Sequence, residues 1–334
     1  MIESRQSELT AVVKRDLFDR VPPGVTNPGD IARWHKFREA YHSAHSLMAV
    51  PVFPLQLDFE LNSTCQMKCS FCLHGFEKVK KRALSFEDFC RLIDEGEQHG
   101  LCSIKMNYIN EPLLNRDLEK YVSYARSHGV LNVYFATNGL LLTRSRSRSL
   151  IDAGVTKIMV SLDATTSETF YKMRKSKQFD LIVENVLTLI EERDKTRHGN
   201  PFVRVNFVKT PINHHEAEEF LQKWEGVADM IGFQDQVGVP GVESETLDLE
   251  HGKKDLSQFR CSFPLKMVVI DSAGSLLPCC TFSGRKLPIG SVADDSIEGA
   301  WKSEKMTDLQ NMHIENRWRD NDICRHCMLA GDNA

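Results

Sequence analysis

Asn62-Ser63-Thr64-Cys65-Gln66-Met67-Lys68-Cys69-Ser70-Phe71-Cys72 sets three thiols at Cys-x-x-x-Cys-x-x-Cys spacing on one tight loop, directly after an apolar, β-type run at 56–61. Thiolates so placed can wrap one face of an iron–sulfur cubane, a group ordinarily held by four such ligands. The loop lacks a fourth. One iron is thereby left able to take an outside ligand, the open position that separates catalytic from structural metal sites. The competing readings are a zinc knuckle completed by His74, or plain free thiols.

The run at 56–61 is the first of six strand candidates, followed by 103–108, 133–136, 157–162, 203–208 and 230–236. Helical patterns lie between them at 85–97, 116–128, 145–153, 179–193 and 215–224. Ser85 with Asp88 three residues on forms a capping box, and Gly129 and Gly154 follow helices as stops. Alternating strands and helices with short connections predict a parallel sheet. Periodicity alone fits a doubly wound sheet and an incomplete α/β barrel equally. The motifs decide for the barrel, through the family fold that they imply.

Ahead of the barrel, two helical stretches are predicted at 8–19 and 28–48; behind it, residues 260–334 are Cys-rich and hairpin-like, with a turn at Asp271-Ser272-Ala273-Gly274. The expected architecture is α/β: a helical N-terminal extension over 1–54, a barrel over 55–240 and a small Cys-rich unit over 255–334. With 334 residues, 41% hydrophobic and 26% charged, the chain can bury a substantial core. A formal net charge of -4 gives no general basic field, so a nucleic-acid partner is not expected. The runs Lys78-Val79-Lys80-Lys81-Arg82 and Arg144-Ser145-Arg146-Ser147-Arg148 are read as solvated faces. No apolar stretch of about 18 residues occurs, so no membrane partner is expected and the protein is placed in the cytoplasm. Ten clustered cysteines in a reducing compartment argue for metal rather than disulfides; Cys90 and Cys102 are read as core.

The loop, its position and Phe71 before the last cysteine resemble the signature of the radical S-adenosylmethionine (SAM) superfamily, whose fold is a partial (β/α)6 TIM-like barrel. The resemblance implies that Cys65, Cys69 and Cys72 hold a 4Fe-4S cluster, that Phe71 shields it, and that the reduced cluster splits SAM into methionine and a 5'-deoxyadenosyl radical. It also implies SAM contacts. Glu111, with Asn110 where the family has glycine, takes the methionyl amine; Ser161, with Asp163 second, takes the ribose; Arg174 takes the carboxylate. Asn138 and Asn206 are further candidates.

Cys261, Cys279, Cys280, Cys324 and Cys327 follow, with Gly274 and Gly290-Ser291-Val292, Ile297 and Trp301 between them. Four cysteines alone would also permit structural zinc. The arrangement resembles the SPASM/Twitch extension of radical SAM enzymes. That implies the shorter Twitch type, with an auxiliary 4Fe-4S cluster on Cys261, Cys279, Cys324 and Cys327 and with Cys280 left over, as core or as a catalytic hydrogen-atom donor.

The activity implied is oxidation or epimerisation of a small carbohydrate or aminocyclitol substrate, with a low-potential electron donor such as flavodoxin or ferredoxin as partner. The alternatives are peptide modification and a non-catalytic iron–sulfur or zinc protein. His214, His215, Gln234 and Gln236 are read near the rim, with no role assigned.

Overall fold

The computed structural model describes residues 12–13, 19–196, 199–236 and 260–329. Strand β1 is Val12–Val13; β2 (Gln56–Phe59), β3 (Ser103–Lys105), β4 (Asn132–Thr137), β5 (Lys157–Ser161), β6 (Phe202–Lys209) and β7 (Met230–Asp235) pair in parallel, each with the next. β2 and β7 do not pair with each other, so the barrel is open. Alternation along the strands sends Leu57, Ile104, Val133, Ile158 and Val205 outward into one core with the surrounding helices. The other face lines a lumen.

Helices lie where the apolar spacing puts them. Phe86–Gln98 is capped by Ser85, whose hydroxyl accepts from the backbone N–H of Asp88 at 2.9 Å. Arg144–Ala153 ends on Gly154 at φ 93°. Within the barrel two short helices escaped the sequence reading, Leu73–Phe76 and Ser167–Arg174, and behind it Ile297–Trp301 and Glu304–Ile314 did too. The helices of Arg144–Ala153 and Phe179–Asp194 are tied by Arg144 and Arg148, which reach Glu191 and Glu192.

The N-terminal extension corrects the sequence reading. Val12 and Val13, inside the predicted helix 8–19, form a strand antiparallel to β7; the rest of that prediction, apart from Asp19, lies outside the described residues. Two β-branched residues suit the edge an open barrel leaves exposed. Helix α1 (Pro28–His45), capped by Asn27 with Pro28 at its first position, is the second prediction realised. It lies across the N-terminal ends of the strands, where Trp34 and Phe37 pack on Cys102 and Leu131. A cavity of about 100 Å³ remains between α1 and those strand ends, at the opposite end of the barrel from the cysteine loop.

The C-terminal unit is joined to the barrel by hydrogen bonds as well as by chain. β8 (Met267–Ile270) pairs in parallel with the free edge of β2, and β9 (Ser275–Leu277) and β10 (Gly290–Ser291) continue the same sheet. The turn between β8 and β9 is the predicted one; Gly274 sits at φ 83° and donates to Asp271 at 2.9 Å. The predicted boundary at 240–255 lies outside the described residues. No helix among the described residues is long and apolar enough to cross a membrane.

Candidate active site

The cysteine loop leaves the C-terminal end of β2 and is fixed by its own backbone. Asn62 Oδ1 accepts from the N–H and hydroxyl of Thr64, Glu111 N–H donates to Thr64, and Ser70 N–H donates to Met173. A Cβ on Gly75 would collide with the carbonyl of Cys69, so only glycine lets the short helix Leu73–Phe76 fold back on the loop. Burial pushes the thiols up, to about 11 for Cys65 and about 12 for Cys69. Repulsion from neighbouring thiols adds to this at Cys65 and Cys69, whereas at Cys72 burial raises the thiol against backbone N–H groups, Arg174 and Lys68, which lower it. Thiolates are costly here unless a cation neutralises them, which is the donor chemistry an iron–sulfur cluster requires.

Around the loop the predicted SAM contacts gather at neighbouring strand ends. Glu111 is buried and accepts from Leu113 N–H, the Thr137 hydroxyl and Asn138 N–H at 3.1, 2.6 and 2.8 Å. Ser161 and Asn206 are register partners on β5 and β6. Asn110 Nδ2, Asn138 Nδ2 and Asn206 Oδ1 are buried without a hydrogen-bond partner. Three orphaned polar atoms on residues read independently as SAM contacts fit a polar ligand that completes them.

Two of the predicted SAM contacts, Arg174 and Asp163, bind each other. Arg174 is buried and closes Nε and Nη2 on Asp163 Oδ2, while Nη1 stands 3.7 Å from the Cys69 sulfur and the guanidinium lies 5.4 Å from the Phe71 ring centroid. Asp163 spends its other oxygen on Val208 N–H at 2.7 Å. The Arg174–Asp163 pair thus ties the cysteine loop to the end of the fourth barrel strand, with Arg174 Nη1 turned toward the Cys69 sulfur. His74 is buried and bonds the backbone of Ile109.

Across β2 lies the second thiol group. Cys261, Cys279, Cys324 and Cys327 each lie within electrostatic reach of the other three. Burial raises Cys261 and Cys279 to about 11 and Cys324 to about 12. The Thr281 hydroxyl stands 3.5 Å from the Cys279 sulfur and 3.6 Å from that of Cys327. A Cβ on Gly284 would press on Cys279, so the turn Phe282–Lys286 closes over that thiol only with glycine there. Among the described residues no three or more His, Cys, Asp or Glu side chains stand close enough together to hold a single metal ion.

Cys280 lies within electrostatic reach of Cys261 and Cys279 and also borders the lumen. Its neighbours there are Lys105 and Asp58, and it packs on Tyr108 and Leu277. Asp58 accepts from Gln56 at 2.6 Å on one oxygen and faces Lys105 Nζ at 3.5 Å with the other. Further along, Lys157 Nζ lies 4.2 Å from the Tyr134 ring centroid, and Arg204 crosses Gly232, where any Cβ would strike the guanidinium. Sequence reasoning missed this polar lumen. The signal was available: Gln56, Asp58 and Glu60, then Ser103 and Lys105, occupy every second position of otherwise apolar strands. His214, His215 and Gln234 are exposed.

A model of the radical SAM superfamily matches residues 59–222, and one of an iron–sulfur cluster-binding domain, SPASM, matches residues 261–328. The chain belongs to the radical SAM superfamily. A radical SAM enzyme with a SPASM-type domain uses a SAM-binding 4Fe-4S cluster, an auxiliary 4Fe-4S cluster and SAM itself. A probable GTP 3',8-cyclase of Saccharolobus solfataricus is 31% identical over 170 residues, 51% of this chain and 53% of the relative. The chain thus spans about half the length of the curated relatives it matches. Among solved structures, BtrN in complex with AdoMet and 2-DOIA superposes with a TM-score of 0.57 at 18% identity, over 84% of this chain and 94% of that one. Streptococcus suis SuiB bound to precursor peptide SuiA gives 0.55 at 15% identity, over 86% and 73%. These two share the fold of the radical SAM enzyme described here.

Proposed function

We propose that this radical SAM enzyme oxidises, or epimerises, a small carbohydrate or aminocyclitol-type substrate held in the lumen, with residues 55–240 as its catalytic barrel and 255–334 as a Twitch-type unit. Cys65, Cys69 and Cys72 would hold the SAM cluster, and Cys261, Cys279, Cys324 and Cys327 the auxiliary one. When bound, the first cluster supplies the electron that cleaves SAM to methionine and a 5'-deoxyadenosyl radical. The chain's own part is positional. Glu111, Asn110, Asn138, Ser161 and Asn206 offer a carboxylate, amides and a hydroxyl toward SAM, and Arg174 with Asp163 holds the loop. Asp58 and Lys105 offer a buried acceptor and a donor to a polyhydroxylated substrate.

The observation that carries this reading is the position of Cys280, which follows Cys279 at the hairpin end, packs on Tyr108 and Leu277 and lies within electrostatic reach of Asp58 and Lys105. A thiol there can return a hydrogen atom to a substrate radical, while the neighbouring thiols serve an electron acceptor. The test is anaerobic incubation of the reconstituted enzyme with SAM, dithionite and a panel of aminocyclitols and sugars in deuterated water. Expected is substrate-dependent 5'-deoxyadenosine, with a product lacking two hydrogen atoms, or one carrying solvent deuterium that Cys280→Ser abolishes. Turnover of peptides with none of the polyols would overturn the substrate reading. The cytoplasm remains the expected compartment for such an oxygen-sensitive centre.

A further inference from the structure

The two basic runs of the sequence meet different fates. Arg144, Arg146 and Arg148 are neutralised by Glu191, Glu192 and Glu119 and serve to join helices. Lys78, Lys80, Lys81 and Arg82 are exposed, and among the described residues none of them forms an ion pair. This second run lies against the cysteine loop. Ser63, two residues before Cys65, accepts from Arg82 N–H at 2.8 Å and donates to Lys80 O at 2.8 Å, and Asn62 bridges Ala83.

More positive charge adjoins it. Lys68 is exposed within the loop, and Arg285, exposed on the turn that covers Cys279, lies with Lys68 in electrostatic reach of His74. Between Gln66 and Phe86 the single carboxylate is Glu77, against five cations, in a chain whose net charge is -4. Phe76 beside them is 42% exposed. A one-signed ridge around an aromatic contact, on a molecule of opposite overall sign, steers an oppositely charged protein by raising its on-rate tenfold or more at low salt.

We propose that Lys68, Lys78, Lys80, Lys81, Arg82 and Phe76 form the docking surface for an acidic one-electron carrier protein of the flavodoxin kind. The carrier's reduced flavin loses one electron, and the centre held by Cys65, Cys69 and Cys72 gains it. The proposal rests on the reading of those three cysteines as cluster ligands.

The experiment uses the reconstituted holoenzyme and the variant Lys78→Glu/Lys80→Glu/Lys81→Glu/Arg82→Glu, with the charge-neutral Lys80→Gln/Lys81→Gln as a milder second variant. Iron content and dithionite-driven 5'-deoxyadenosine formation are measured first. Their absence in the wild type would defeat the cluster reading itself. With both intact in all three proteins, reduction by photoreduced flavodoxin is followed at low and high salt. Expected is a rate at least tenfold lower in the charge-reversed variant, an intermediate rate in the neutral one, and a wild-type rate that falls as salt rises. Equal rates in the three proteins, or a wild-type rate indifferent to salt, overturn the proposal. So does salt-sensitive binding of an RNA duplex that the variant loses while its reduction by flavodoxin is unchanged.

Discussion

Lys157 is the residue whose environment makes the sharpest demand on the fold. Burial, then the nearby charges of Arg204, Arg38 and Lys105, bring its amine down to about 7. An amine depressed in the native state binds fewer protons there than in the unfolded chain between about 7 and its ordinary 10.5, so it adds stability as pH rises through that window and withdraws it as pH falls to 7. The Tm of the wild type relative to Lys157→Met should therefore improve from pH 7 to pH 9, by roughly 2 kcal/mol in stability. Parallel Tm curves for the two proteins over that range would contradict it. Lys157 was invisible as a site in the sequence because a lysine starting an apolar strand reads as a surface end. The grouping of Cys65, Cys69 and Cys72 was legible because their spacing puts them on one loop, and Asn110 and Asn138 stand out because they follow strands. The pairing of Arg174 with Asp163 was not legible for the opposite reason. An ion pair between residues 11 apart, on a helix and the loop before it, depends on how that helix returns to the barrel.

At the scale of elements, the strands emerged within a few residues of their predicted ends because their outward faces alternate with apolar side chains. β1 did not, since its pairing partner lies more than two hundred residues away and two valines carry no period. Helix α1 matters through burial more than through propensity. Trp34 is 3% exposed, packs on Phe37 at 5.1 Å between ring centroids, and donates its indole N–H to Asp19 O at 3.0 Å. Trp34→Ala should cost about 3–5 kcal/mol in a chemical denaturation experiment. Because α1 covers the end of the barrel away from the thiols, iron content per folded chain should stay unchanged. A variant as stable as the wild type would show that α1 is not part of the cooperative core.

At the scale of the molecule, β2 is the shared wall. On its C-terminal side the chain turns directly into the Cys65 loop; along its free edge it pairs with β8, whose hairpin leads to Cys279 and Cys280. One strand thus sets the relation between the two thiol groups and the lumen between them. The sequence showed both cysteine groups but gave no hint that a parallel pairing of residues 56–59 with 267–270 would weld them into one sheet, because strand partners so distant leave no local pattern. That weld makes the central claim a claim about two centres in a single body. The most direct test is iron and labile-sulfide content of the anaerobically reconstituted protein, read together with SAM cleavage. The account predicts about eight iron atoms per chain, as two 4Fe-4S clusters hold, falling to about half in Cys72→Ala with loss of 5'-deoxyadenosine, and to about half in Cys327→Ala with SAM cleavage retained. A wild-type protein that binds a single zinc ion, or that holds iron yet yields no 5'-deoxyadenosine under dithionite and SAM, would contradict it.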